Sequence, residues 1–181
     1  VQARCDFISK CLQKNKTRHM LLRAHWYTEI ADGQEKVKQS RPALKLIFLM
    51  AMAEAIAKDR KNNIGLESLR AIQEFFKYII PEDKSILCGS FRRLLTRPRQ
   101  PMLRFSSILR ILGEVRNKAV HGEDYFTFSF RREDGDCDLI TVGYLGKRGR
   151  KRRIPLDMSL TYQELRDIFK RTAIENIKSL L

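Results

Sequence analysis

This sequence of 181 residues has few cysteines and histidines, the residues that most often bind zinc or form disulfides. Its four cysteines, Cys5, Cys11, Cys88 and Cys137, are scattered without a Cys-x-x-Cys pair, which argues against a zinc site and against a disulfide framework. The longest apolar run, residues 46–53, is far too short to cross a bilayer, and no segment has the features of a signal peptide. We therefore expect a cytoplasmic protein with reduced thiols that needs neither a metal nor a membrane.

Acidic residues are also few relative to basic ones. The chain has 36 Lys and Arg against 21 Asp and Glu, which gives a net charge of +15 and a pI near 10.0. This imbalance favours nucleic acid or another polyanion as a partner, although the charge could also serve only solubility. Hydrophobic residues make up 43% of the chain, enough for the core of one domain and too many for a disordered protein.

One segment predicts a helix at the centre of the fold. It begins at Pro42, which a first helical turn tolerates, and it is apolar nearly all round from Ala43 to Ala57. A helix without a polar face is expected to be buried on most sides. Glu54 interrupts it, and a buried carboxylate needs a partner.

The rest of the chain divides into weaker helical and strand patterns. Before residue 125 we predict a helix over 4–31 ended by Asp32-Gly33, a polar linker over 33–40, a helix over 66–80, a basic connector over 82–101, and a helix capped by Ser106 or Ser107 that ends at Gly122. After it we predict a hairpin of strands 125–130 and 139–145, a basic loop, a third strand over 153–158, and a last helix opened by the capping box Thr161–Glu164.

These patterns define the expected fold class. It is mainly α, a helical bundle with a small antiparallel β-sheet, made of a hairpin plus a third strand, inserted before the C-terminal helix. The whole chain, 1–181, is expected to be a single domain. Its parts are a bundle core over 1–124, a β insertion over 125–158 and the C-terminal helix over 159–181.

The chemistry-bearing motif lies at the end of the predicted helix that stops at Gly122. Arg116, Asn117 and His121 stand within six residues of each other. An arginine can hold a phosphate and neutralise its charge, and a histidine can move a proton near neutral pH. The alternative is that Arg116 and His121 only complement the dipole at a helix C-terminus.

This Arg-Asn-x-x-x-His motif resembles the signature of the HEPN superfamily of α-helical bundles. The resemblance implies a metal-independent and cofactor-independent endoribonuclease, in which the ribose 2′-hydroxyl attacks the adjacent phosphate and leaves a 2′,3′-cyclic phosphate. It also implies a homodimer with two facing motifs, a role as toxin or defence effector, and an antitoxin or regulatory partner. Some members are non-catalytic and bind only nucleotide or nucleic acid. The inserted sheet departs from the simplest members, and Glu123 stands where small toxins often have tyrosine.

Helical geometry constrains how this motif can act. With about 100° of rotation per residue, Asn117 and His121 share one face with Glu114 and Lys118, whereas Arg116 points roughly 140° away from His121. Either the last turn unwinds, or a second subunit supplies the missing group. We expect His121 to be the general acid or base, Arg116 to stabilise the phosphate, Asn117 to orient His121 or to donate to the phosphate, and Glu54 to pair with Arg116.

A second basic element follows the predicted hairpin. Six cations lie within eight residues, which predicts a loop that tracks phosphates without reading sequence, with a solvated loop or a nuclear localisation signal as alternatives. The six cations are Lys147, Arg148, Arg150, Lys151, Arg152 and Arg153.

Replacing these six cations with serine should weaken RNA binding without changing the chemistry of the motif. For a single strand, the log–log salt slope of binding should fall by roughly 0.7 for every phosphate that the variant can no longer neutralise. A filter-binding titration over several salt concentrations measures this slope. An unchanged slope would show that the segment does not bind RNA.

Overall fold

The structure is a computed structural model that describes residues 2–37, 42–93, 103–120, 130–131, 141–147 and 150–181. This part of the chain is mainly helical, with a small antiparallel sheet. The helices are α1 (Gln2–Gln13), α2 (Asn15–Val37), α3 (Pro42–Lys61), α4 (Ser68–Phe75), a 3-10 helix (Phe76–Tyr78), α5 (Pro81–Gly89), α6 (Phe105–Val120) and α7 (Tyr162–Lys178). The strands are β1 (Phe91–Arg93), β2 (Thr141–Lys147) and β3 (Arg150–Met158).

Helix α3 is the centre of the bundle, as its apolar sequence predicted. Helices α2, α4, α6 and α7 all pack against it. Its buried side chains come from every face of the helix, and they include Leu46, Leu49, Met50, Ala53 and Ile56. Each polar group on α3 must therefore find a partner on a neighbouring helix or extend from the helix end.

An aromatic cluster joins the 3-10 helix and the end of α4 to α6 and α7. Phe76 meets Phe169 edge to face with ring centroids 5.0 Å apart, and it meets Phe105 at 6.0 Å. Phe75 lies 5.9 Å from Phe169. Edge-to-face contacts of this kind stabilise a core more than the burial of the apolar surface of the rings alone would.

The C-terminal helix and the motif helix largely agree with the sequence prediction. Thr161 and Glu164 form the predicted capping box at the start of α7, in which the Thr161 side chain accepts from the Glu164 amide. On α6 the predicted apolar stripe is buried. Helix α6 begins at Phe105, so Ser106 and Ser107 lie in its first turn, and the prediction that one of them is the cap was wrong. The buried residues of the stripe are Ile108, Leu109, Ile111, Leu112 and Val115.

The N-terminal helix differs from the prediction in two places. It is divided at Lys14 into α1 and α2, and the buried hydroxyl of Thr17 donates to the Cys11 and Lys14 carbonyls across this break. Helix α2 also continues through Asp32-Gly33 to Val37. Tyr162 and Arg166 of α7 donate to Asp32, and this tertiary anchoring offsets the roughly 1 kcal/mol that a helical glycine costs.

The segment after α3 also differs from the prediction. The helix predicted over 66–80 is shorter, because α4 ends at Phe75 and a 3-10 helix follows. The predicted connector over 82–101 contains most of α5 and all of β1 instead. Pro81 starts α5 rather than merely ending the element before it, and Asp83 lies in the first turn, where a carboxylate is favourable. Asp83 is buried and accepts two hydrogen bonds from Arg171 of α7.

The sheet has a different membership from the one predicted. Its strand order is β1-β3-β2, and both pairings are antiparallel. Strand β1 precedes the motif helix in the chain, so the sheet is not confined to residues 125–158. The hairpin of the described residues joins β2 to β3. Most of the predicted strand 125–130 and its turn lie outside the described residues, although Arg131 forms an isolated bridge to Thr161.

We expect the aromatic cluster to control stability. Phe169→Ala should lower the free energy of unfolding by about 3–5 kcal/mol, because Phe169 is fully buried against the rings of Phe75 and Phe76. Ile174→Ala is the control on the same helix and should cost less than about 1 kcal/mol, since this side chain is 37% exposed. Urea unfolding measures both, and equal losses of stability would contradict the assignment of the core.

Candidate functional site

The guanidinium of Arg116 is the best-defined group of the sequence motif. Arg116 lies on α6 one position beyond the buried Val115, so its side chain leaves the apolar stripe toward α3. There Nη2 contacts Glu54 Oε1 at 3.0 Å. The ion pair that the burial of Glu54 led us to expect is present, and it connects the motif helix to the central helix.

Glu54 is held from a second direction by a residue that the sequence did not single out. The hydroxyl of Ser68, the first residue of α4, donates to Glu54 Oε1. The same carboxylate oxygen therefore receives a hydroxyl and a guanidinium. Ser68 had no distinguishing signal in the sequence, because its contact depends on the angle at which α4 crosses α3.

Asn117 completes this arrangement within α6. Its Oδ1 accepts from Arg116 Nη1 at 2.9 Å. In the structure Asn117 orients the guanidinium. That it orients His121 or donates to the phosphate stays a prediction, since His121 lies outside the described residues. With Nη1 and Nη2 both engaged, Arg116 has a fixed position near the end of α6. Its Nε is buried, and within the described part of the chain it has no hydrogen-bond partner.

The electrostatic balance of this cluster, Glu54, Ser68, Arg116 and Asn117, is close to neutral. The Glu54 side chain is 9% exposed and the Arg116 side chain 24% exposed. Solvent therefore reaches part of the Arg116 side chain but hardly reaches the carboxylate. An anion approaching Arg116 would meet a cation whose charge is already partly offset by Glu54, so it would need a further positive group for tight binding.

The other residues predicted for the motif are placed only in part. Glu114 and Lys118 are half-buried on α6, and both take part in interactions of their own. Val120 is the last residue of α6, and His121 lies outside the described residues, as does Gly122. The structure therefore brings together Glu54, Arg116 and Asn117, and it does not describe the histidine.

The predicted basic loop is mostly strand. Lys147 ends β2, and Arg150, Lys151, Arg152 and Arg153 belong to β3. Only Arg148 and Gly149, which lie outside the described residues, separate the strands. Backbone pairing explains the difference, since a ladder from Lys147↔Arg150 to Tyr144↔Arg153 needs main-chain partners and not apolar side chains. The prediction of a loop was therefore wrong for Lys147 and for residues 150–153, which are in strands.

Two further features, a metal site and a membrane-spanning helix, are absent from the described residues. Among them, no three His, Cys, Asp or Glu side chains are grouped so that they could hold a metal ion. None of the helices in the described ranges combines the length and the apolar character needed to cross a membrane. Neither a protein-family model nor a curated protein nor a solved structure matches this chain.

A double-mutant cycle should show that Glu54 and Arg116 are coupled. Glu54→Leu should cost about 3 kcal/mol of unfolding free energy, because it leaves a largely buried guanidinium without its carboxylate. Adding Arg116→Met should recover at least half of this loss of stability, since two apolar side chains can pack where the pair was. Urea unfolding of the two single variants and the double variant measures the coupling.

The more exposed pair Arg23–Asp59 supplies the control for this cycle. Its side chains are 44% and 23% exposed, so Asp59→Ala should cost less than about 1 kcal/mol. If the losses of stability for Glu54→Leu and Arg116→Met simply add, the two residues do not act as a pair.

Proposed function

We propose that this chain is a metal-independent endoribonuclease of the HEPN type that cleaves single-stranded or loop RNA. The observation that carries the proposal is the fixed guanidinium of Arg116 near the end of α6, held by Glu54 and Asn117 and followed five residues later by His121. A pre-positioned cation and a proton-transferring side chain are the minimum that cleavage of an RNA phosphodiester requires. The chain's net charge of +15 supports RNA as the substrate.

The proposed reaction uses the RNA's own nucleophile. His121 removes the proton from the ribose 2′-hydroxyl, whose oxygen then forms a bond to the adjacent phosphorus. The bond from phosphorus to the 5′-oxygen breaks, and this leaving oxygen takes up the proton that His121 had removed, which returns the imidazole to its starting state. The products are a 2′,3′-cyclic phosphate and a 5′-hydroxyl. Arg116 stabilises the negative charge that grows on the non-bridging oxygens in the transition state.

The position of Arg116 bears on how the site is assembled. Arg116 extends toward α3, while an undistorted α6 would direct residue 121 roughly 140° away. We propose that two copies of the chain face each other, so that one phosphate meets groups from both. A homodimer would also supply the second positive group that the partly neutralised Arg116 requires.

One observation favours a second candidate function, a non-catalytic module that binds RNA or nucleotide. The Glu54 carboxylate partly offsets the charge of Arg116. A guanidinium held in this way stabilises the junction of α3 and α6 whether or not a phosphate arrives. In this function other cations of the chain bind the nucleic acid, and Arg116 and Asn117 stabilise the bundle.

The two functions differ in what the loss of His121 does. If His121 transfers protons, His121→Ala should lower single-turnover RNA cleavage by about 100-fold or more while leaving RNA binding intact. Cleavage should persist in excess chelator and leave 2′,3′-cyclic phosphate ends, which mass spectrometry of the fragments detects. His25→Ala is the matched control, because His25 is exposed on α2 outside the motif.

Three outcomes decide between the candidates. Cleavage that chelator stops and magnesium restores would overturn the proposed mechanism. Equal rates of cleavage by the wild type and by His121→Ala would show that His121 takes no part in the mechanism. Binding of RNA by every variant, with cleavage by none, would favour the non-catalytic module.

A further inference from the structure

Basic side chains from four segments meet at one end of the helical bundle. They come from the corner between α1 and α2, the last turn of α3, the 3-10 helix and the last turn of α7. We call the set the basic pole, and its members are Lys14, Lys16, Lys58, Arg60, Lys61, Lys77 and Lys178.

Side-chain contacts show that these segments are adjacent in space. Lys14 Nζ donates to the main-chain oxygen of Leu180 at 3.0 Å, which connects the α1–α2 corner to the end of α7. Lys16 Nζ donates to the main-chain oxygen of Arg60 at 2.9 Å. Arg60 Nε in turn donates to Ser179 Oγ at 3.3 Å. Sequence distances of 44 to 166 residues separate these partners, so only the tertiary fold assembles the pole.

Carboxylates neutralise only a part of this charge. Glu74 lies between Lys61 and Lys77, at 3.3 Å and 2.6 Å, and the hydrogen bond from Lys77 lowers the pKa of Glu74. Glu175 pairs with Lys178 at 2.7 Å. Lys16 and Arg60, by contrast, make their hydrogen bonds to uncharged oxygens within the described part of the chain.

The remaining positive charge is larger than the negative charge that the helix dipoles place at this end of the bundle. Seven cations and the two carboxylates Glu74 and Glu175 leave five positive charges in excess, or four if a free carboxylate stands at Leu181. Asp59 also lies in the last turn of α3, but it pairs with Arg23, so counting both residues leaves the excess unchanged. Helices α3 and α7 and the 3-10 helix all direct their C-terminal ends to the pole, and each end carries roughly half a negative charge at most. Together they offset about 1.5 charges, so helix dipoles alone do not account for the accumulation of cations.

Arg60 is the best-prepared member of the pole for binding a phosphate. Its guanidinium carbon lies 4.1 Å from the centre of the Tyr78 ring. The Nη2 of the same guanidinium also donates a hydrogen bond to the hydroxyl of Tyr78. Stacking and hydrogen bonding hold the guanidinium in one plane, which reduces the entropy that binding an anion costs. Tyr78 and Ser179 are both neutral, so these contacts position the guanidinium without offsetting its charge.

From these contacts and this charge excess we propose that the basic pole binds the phosphate backbone of RNA without reading its sequence. The inference deepens the proposed function on which it rests, because it assigns a second RNA-contact surface besides the motif. Arg60 lies six residues beyond Glu54 on α3, about 9 Å along the axis. A single strand of a few nucleotides is long enough to cover this axial distance.

A charge-neutralised variant tests the pole by RNA binding in the His121→Ala background, where the RNA stays intact. Lys14→Gln/Lys16→Gln/Lys58→Gln keeps side-chain donors for the carbonyl contacts of Lys14 and Lys16 and removes three charges. Affinity for a labelled RNA of about twelve nucleotides should fall at least about tenfold at about 0.15 M salt, and the log–log salt slope should fall by about 2.

The matched control removes three charges elsewhere. Lys84, Arg92 and Arg104 are exposed on α5, β1 and the approach to α6, and Arg104 lies about 18 Å from Arg116 along the axis of α6. Lys84→Gln/Arg92→Gln/Arg104→Gln lowers the net charge equally, so any general effect of charge appears in both variants. Equal slopes and affinities for the pole variant and the control would overturn the proposal.

A second variant keeps the test decisive if the first one folds poorly. The Lys61, Lys77 and Lys178 side chains are 46%, 60% and 53% exposed, and Gln keeps an amide donor for Glu74 and Glu175. Replacing all three with Gln therefore turns exposed ion pairs into neutral hydrogen bonds, and the loss of stability should be small. It should reduce RNA affinity in the same direction. Normal RNA binding by this variant, together with abolished binding to vesicles containing phosphatidylserine, would overturn the RNA assignment in favour of a membrane surface.

The test also separates failure of the pole from failure of the enzyme. If the wild type cleaves RNA but the pole variants bind it normally, the inference fails and the proposed function stands. If the wild type does not cleave RNA but the pole variants bind it weakly, the pole is an RNA surface of a non-catalytic module.

Discussion

The burial of Glu54 constrains the rest of the site. A carboxylate in the middle of an apolar central helix is costly unless a cation and further hydrogen bonds reach it. Arg116 of α6 and Ser68 of α4 both do so, and they meet at the same carboxylate oxygen. These contacts help to fix how three helices cross, and they hold the guanidinium near the end of the motif helix.

The same central helix explains where the remaining charge can lie. Because α3 is surrounded by α2, α4, α6 and α7, its cations reach water most easily near its end. Lys58, Arg60 and Lys61 stand in that last turn, where they also complement the helix dipole. Helix α7 and the α1–α2 corner meet at the same place and bring further cations. An apolar centre thus produces a concentrated basic end.

Elements with strong local signals were predictable from the sequence. The apolar helix α3, the buried stripe of α6 and the capping box of α7 depend on neighbouring residues in the chain. The predictions were wrong where the same residue is compatible with two local structures, or where the local structure depends on pairing with a distant part of the chain. Pro81 both ends an element and starts α5, and β1 is a strand only because Phe91 pairs with Met158 of β3, far along the chain.

The amino-acid sequence alone was enough to predict the central helix, the need of Glu54 for a partner, and the spacing of Arg116, Asn117 and His121. The pattern of apolar and polar residues along the chain indicates these features locally, so they could be predicted without knowing how the helices pack. Only the packing of the helices against one another brings Ser68 to Glu54 and gathers cations that are far apart in the sequence at one pole. These features depend on crossing angles between helices and on the side-chain positions that follow from them, which are set by the packing of whole surfaces and not by any short stretch of residues.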